Sequence, residues 1–124
     1  MGKILIVDDS ETARTLVKDV LDEAGYDVLS ADSGQAGLQL SEEHFDIDLV
    51  ICDLNMPDMD GLTMCQRLKE RPNFAGTPML MLTTETSSEI KGRAREAGLT
   101  GWIVKPFIPH KLLAVVEQLI GPGI

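Results

Sequence analysis

The chain has 124 residues, 44% hydrophobic and 25% charged, which suits one folded unit with a single core. Its 20 acidic and 11 basic residues leave a formal charge of −9. That excludes nucleic acid or an anionic membrane as the main partner, because phosphate-rich surfaces select a basic face. The two cysteines, Cys52 and Cys65, lack metal-type spacing and form no disulfide framework, so a reducing cytoplasm is expected.

The first apolar run, residues 4–7, is far too short for a signal peptide or a membrane span. Gly2 is not read as a lipidation site, since Ile6 stands where that motif needs a hydroxyl. Similar runs at 28–31, 49–52, 79–82 and 102–104 read as short strands. Between them, helices are expected over about 11–24, 34–43, 61–71, 87–97 and 109–120.

The first helix has Ser10 as its N-cap and Gly25 as its stop. Its residues Ala13, Leu16, Val17, Val20, Leu21 and Ala24 share one face. Leu112, Val115, Val116 and Leu119 do the same in the last helix. The third buries Leu62, Cys65 and Leu68. The fourth is the weakest, with Gly92 in its interior costing roughly 1 kcal/mol relative to Ala. Five alternations of strand and helix define an α/β fold with a parallel sheet and right-handed crossovers.

In such a sheet, ligands bind outside the carboxyl ends of the strands. Those ends carry Asp8-Asp9, Asp53, Thr83-Thr84 and Lys105-Pro106. Three carboxylates in one cleft repel one another, and a hard divalent cation with oxygen ligands, Mg²⁺, relieves this. An ionised Asp53 can act as a nucleophile and form an acyl phosphate. A lysine and a hydroxyl donor match the oxygens of a transferring phosphoryl group.

Taken singly, these features are bland. Asp8-Asp9 could complement a helix dipole, Lys105 could be a solvated charge, and Trp102 could be core filling. Glu85 reads as a loop charge, His44 and His110 as surface or helix-end residues, and the methionines as packing. Together, Asp8-Asp9, Asp53-x-Asn55-Met56-Pro57-x-x-Asp60-Gly61, Thr83 and Lys105-Pro106-Phe107 resemble the receiver domain of two-component response regulators. The resemblance covers essentially the whole chain.

It implies a flavodoxin-like, doubly wound sheet of five strands in the order 2-1-3-4-5 with five helices. It also implies one receiver domain over 1–124, without an output domain. Asp53 would be the phosphoacceptor, with a histidine kinase as phosphodonor. Asp9 would bind Mg²⁺ directly and Asp8 largely through water, together with Asp53 and the Asn55 backbone carbonyl. Lys105, beside a cis bond to Pro106, would pair with the phosphoryl oxygens. Thr83 would donate to the phosphoryl group and move toward it, vacating space for the aromatic residue at 102. Asn55 and Glu85 would flank the group and set its lifetime.

Position 102 departs from the usual pattern: it is Trp, whose larger ring needs a partner for its N–H when buried. Residues 99–107 are similar to chemotaxis-type receivers, which implies a cytoplasmic, monomeric switch acting on a flagellar motor switch protein or another motility target. A pilus-motility, phosphate-sink or phosphorelay role, or an unphosphorylated adaptor, is the alternative. A phosphatase of the dehalogenase-like type is disfavoured by Asn55, where an acid/base Asp is needed, so the chain is not expected to turn over external substrates. A flavin-phosphate site is excluded by the acidic loop Asp8-Asp9-Ser10-Glu11-Thr12.

Overall fold

A computed structural model describes residues 2–124; Met1, part of the 1–124 unit expected above, lies outside them. Five parallel strands, β1 Lys3–Val7, β2 Asp27–Ala31, β3 Leu49–Cys52, β4 Met79–Thr83 and β5 Gly101–Val104, form one sheet ordered β2-β1-β3-β4-β5. The helices are α1 Glu11–Glu23, α2 Gly34–Glu43, α3 Gly61–Lys69, α4 Ser88–Glu96 and α5 Pro109–Ile120. The expected fold class and strand order are both observed.

Residues alternate between the two sheet faces because the strand period is two. Leu5, Val7, Val50, Cys52, Met79 and Met81 pack toward Leu38 of α2, Leu62, Met64, Cys65 and Leu68 of α3, and Ala94 of α4. Ile4, Ile6, Leu49, Ile51, Leu80 and Leu82 pack toward Val17 and Leu21 of α1 and Leu112 and Val116 of α5. The three central strands are buried on nearly every residue, whereas β2 and β5, at the edges, are mostly half-buried or exposed.

Four helices start with a capping side chain at the strand carboxyl edge. Ser10, Ser33, Asp60 and Ser87 accept from the amides of Ala13, Ala36, Thr63 and Ile90. These caps satisfy donors that a helix terminus leaves unpaired. They also fix each loop above the sheet.

The end of α3 and the exposure of Leu16 depart most from expectation. Helix α3 ends at Lys69 rather than Arg71, because Pro72 disfavours helical backbone in the preceding residue and Arg71 is extended. A short 3-10 turn, Pro72–Phe74, follows and buries Phe74. Leu16, on the shared apolar face of α1, is 54% exposed. It borders a shallow apolar groove with Pro106 and Phe107. Helix α4 buries only Ala94, in keeping with its weak pattern. No helix among the described residues is long and apolar enough to cross a membrane.

Candidate functional site

The ladder carries its order past the strand ends. The Asp8 amide donates to Ala31 O at 3.1 Å and the Asp53 amide to Val7 O at 2.9 Å, so both residues continue the strand register. The Lys105 amide donates to Thr83 O at 2.9 Å. The peptide from Lys105 to Pro106 is cis.

These backbone ties bring the side chains together. Lys105 Nζ lies 2.6 Å from Asp8 Oδ2 and 3.2 Å from Asp53 Oδ2. Asp8 and Asp53 are buried while Asp9 is exposed, and each offers a carboxylate oxygen within 4.8 Å of the others. Burial alone lowers the Lys105 pKa, but the Asp8 hydrogen bond and the charges of Asp8 and Asp53 outweigh it. The pKa is raised above 10.5 and the ammonium stays charged.

Asp8 is held at two further points. Its Oδ1 accepts from the Ser10 amide at 2.9 Å, and its backbone carbonyl accepts from Arg14 Nη1 at 2.7 Å. No motif in the sequence points to the Arg14 contact. Its only sequence signal is a basic residue one turn into the helix that follows Asp8-Asp9.

Gly61 sits where an added Cβ would lie 2.2 Å from Asp53 O, and its amide donates to Leu54 O. Only glycine lets α3 begin that close to the Asp53 backbone. Asn55 is exposed in the intervening loop.

Thr83 is fully buried, and its Oγ1 accepts from the Glu85 amide at 3.3 Å. The Glu85 carbonyl accepts from Trp102 Nε1 at 3.0 Å, which gives the indole the partner it needs. Glu85, half-buried in this loop, also accepts from the Ser87 amide through its Oε1. Trp102 is partly buried against the core. His44 ends α2 and His110 lies exposed in α5, both outside the cluster.

Cys52, immediately before Asp53, is fully buried with its Sγ 3.3 Å from that of Cys65. The Cys65 hydrogen bond, burial and the charges of Cys65, Asp53 and Asp8 hold its pKa well above the ordinary thiol value. In the closed fold Cys52 therefore stays a thiol and does not compete with Asp53.

A doubly wound parallel sheet carrying an acid cluster, a clamped lysine and a buried threonine at its carboxyl edge is a receiver architecture. The response regulator receiver domain family matches residues 4–117, and the chain belongs to it. It is 36% identical over 122 residues to a chemotaxis protein CheY homolog of Campylobacter jejuni, spanning 98% of this chain and 94% of the relative. It is 38% identical over 120 residues to the DNA-binding dual master transcriptional regulator RpaA of Synechocystis, spanning 97% of this chain but 49% of that protein. The structure of Vibrio cholerae chemotaxis protein CheY4 superposes with a TM-score of 0.92 at 40% identity, covering 96% of this chain and 98% of that one.

Proposed function

We propose that Asp53 accepts a phosphoryl group from a histidine kinase and that the acyl phosphate changes which protein the receiver binds. The observation that carries this reading is Lys105 Nζ bridging Asp8 and Asp53 inside a cluster of three carboxylates. A carboxylate oxygen of Asp53 attacks phosphorus, the bond to the donor nitrogen breaks, and a mixed anhydride forms. Lys105, already charged and fixed, turns from the carboxylate to the incoming phosphoryl oxygens. Thr83 supplies the hydroxyl donor.

The buried carboxylates of Asp8 and Asp53 and the exposed Asp9 lie together, and with the Asn55 carbonyl they would form an all-oxygen donor set that suits Mg²⁺. When bound, the ion supplies the neutralising charge that lets anionic donor and acceptor approach. Asn55 and Glu85 border the same edge and would set the phosphoryl lifetime.

Thr83 and Trp102 form the switch, linked through the Glu85 peptide. If Thr83 Oγ1 turns to the phosphoryl group, it leaves the Glu85 amide and the loop before α4 rearranges. The changed surface lies on α4, β5 and α5. The CheY relatives favour a motility target such as a flagellar motor switch protein; pilus motility and phosphate-sink roles are the alternatives. The chain would act as a monomeric cytoplasmic receiver. It would turn over no external substrate.

The test is intact-mass labelling with acetyl phosphate and Mg²⁺, comparing the native chain with Asp53→Asn. Loss of the phosphoryl adduct only in the variant supports the assignment, and an undiminished adduct overturns it. Capture of a purified motor switch protein only by the beryllofluoride-treated chain would support the motility target.

A further inference from the structure

We propose that Cys52 and Cys65 are a redox pair, closing to an intrachain disulfide under a peroxide oxidant and slowing phosphoryl acceptance at Asp53. The second half rests on Asp53 being the phosphoacceptor. The two sulfurs belong to different elements, β3 and α3, and are both fully buried. They already sit 3.3 Å apart, so a bond of about 2.05 Å needs a further approach of roughly 1.2 Å.

The chemistry balances with the peroxide as oxidant. One sulfur, as thiolate, attacks a peroxide oxygen, the O–O bond breaks, and the leaving hydroxide takes up the proton that this thiol released, giving water and a sulfenic acid on that cysteine. The second sulfur attacks the sulfenic sulfur, the S–O bond breaks, and the hydroxide takes the remaining thiol proton as water. Two thiols and one peroxide give one disulfide and two waters. Because both thiols are buried, the reaction proceeds through transient opening of α3 and is slow.

The mechanical consequence follows from which element can move. Strand β3 is paired on both sides, to β1 and β4. Helix α3 is held to the sheet by packing and by the Gly61 amide on Leu54 O. Closing the bond therefore draws α3 toward β3. The first turn of α3 rests against the Asp53 backbone, and Cys52 Sγ lies 4.0 Å from Gly61 O. Movement of α3 displaces the loop from Leu54 to Asp60, including the Asn55 carbonyl. A misplacement of this size in a reacting constellation costs about tenfold to a hundredfold in rate.

The experiment treats the full chain with hydrogen peroxide, then denatures it with excess alkylating agent and measures intact mass. A mass lower by two hydrogens with neither cysteine alkylated, reversed by dithiothreitol, is the expected result. Methionine oxidation adds oxygen and is not reversed by dithiothreitol, so it is read separately. Labelling with acetyl phosphate and Mg²⁺ should be at least about tenfold slower in the oxidised chain and recover on reduction. The variants Cys65→Ala and Cys65→Ser should label normally and lose the peroxide response.

Two alkylated cysteines after peroxide treatment, or a disulfide that leaves labelling unchanged, overturns the proposal. Failure of the reduced native chain to label would instead overturn the phosphoacceptor reading, leaving disulfide formation to be judged by mass alone.

Discussion

The indole of Trp102 donates its N–H to the backbone carbonyl of Glu85 at 3.0 Å, while the amide of Glu85 donates to Thr83 Oγ1. One residue thus ties the buried hydroxyl beside the acid cluster to the only tryptophan. Withdrawing Thr83 Oγ1 removes a hydrogen bond worth about 1 kcal/mol from that loop, enough to shift a two-state balance several-fold. Trp102 fluorescence should therefore change on adding beryllofluoride with Mg²⁺. No change is expected in Asp53→Asn, and a much weaker one in Thr83→Ala.

Gly92 is a designed-in weakness of α4. An added Cβ there meets nothing within 4 Å, and its backbone is helical. Gly92→Ala should raise stability by about 0.5–1 kcal/mol, read as a higher urea midpoint at unchanged slope. Amide exchange in α4 should slow in the same variant.

Gly61 has the opposite character. A methyl at this position collides with Asp53 O, and backbone cannot yield as a flexible side chain can. Gly61→Ala should cost about 1–3 kcal/mol in denaturant unfolding and slow acetyl phosphate labelling, because relief requires moving Asp53 or α3.

Lys105 links the site to pH. Its pKa is raised above 10.5, so its stabilising contribution is complete below that value and is lost as pH rises through the higher folded pKa. Lys105→Met should lower stability by about 1–3 kcal/mol near neutral pH without Mg²⁺. The difference from the native chain should shrink at pH above 10.5. Added Mg²⁺ should stabilise the variant, since the Asp8–Asp9–Asp53 donor set remains.

Tyr26 tests the distal end. Its hydroxyl donates to Gly121 O at 2.6 Å, fastening the chain beyond α5 to the start of β2, and its pKa is raised by burial and then by Glu117. Tyr26→Phe should cost about 1 kcal/mol in thermal or urea unfolding and leave acetyl phosphate labelling unchanged.

Element positions were legible because β3 and α5 have sharp punctuation, and their observed bounds match the expected ones. The end of α3 was misjudged because the effect of Pro72 reaches back to Arg71, overriding an unbroken helical pattern. The exposure of Leu16 was not legible because periodicity gives a face but not its width, and the α1 stripe is wider than the surface it covers. Asp8, Asp53 and Lys105 could be placed on one edge from strand ends alone, whereas their bridging geometry depends on the cleft being formed. The Glu85 relay is carried by backbone atoms, which a side-chain motif does not encode. The sulfur contact between Cys52 and Cys65 depends on how α3 is rotated over β3, which the spacing of two cysteines leaves open.

The most direct measurement is the intact mass of the chain after acetyl phosphate and Mg²⁺, with peptide mapping of the adduct after borohydride trapping. One phosphoryl adduct mapping to Asp53 and absent from Asp53→Asn is the predicted result. A full adduct on another residue, or on Asp53→Asn itself, would contradict the account.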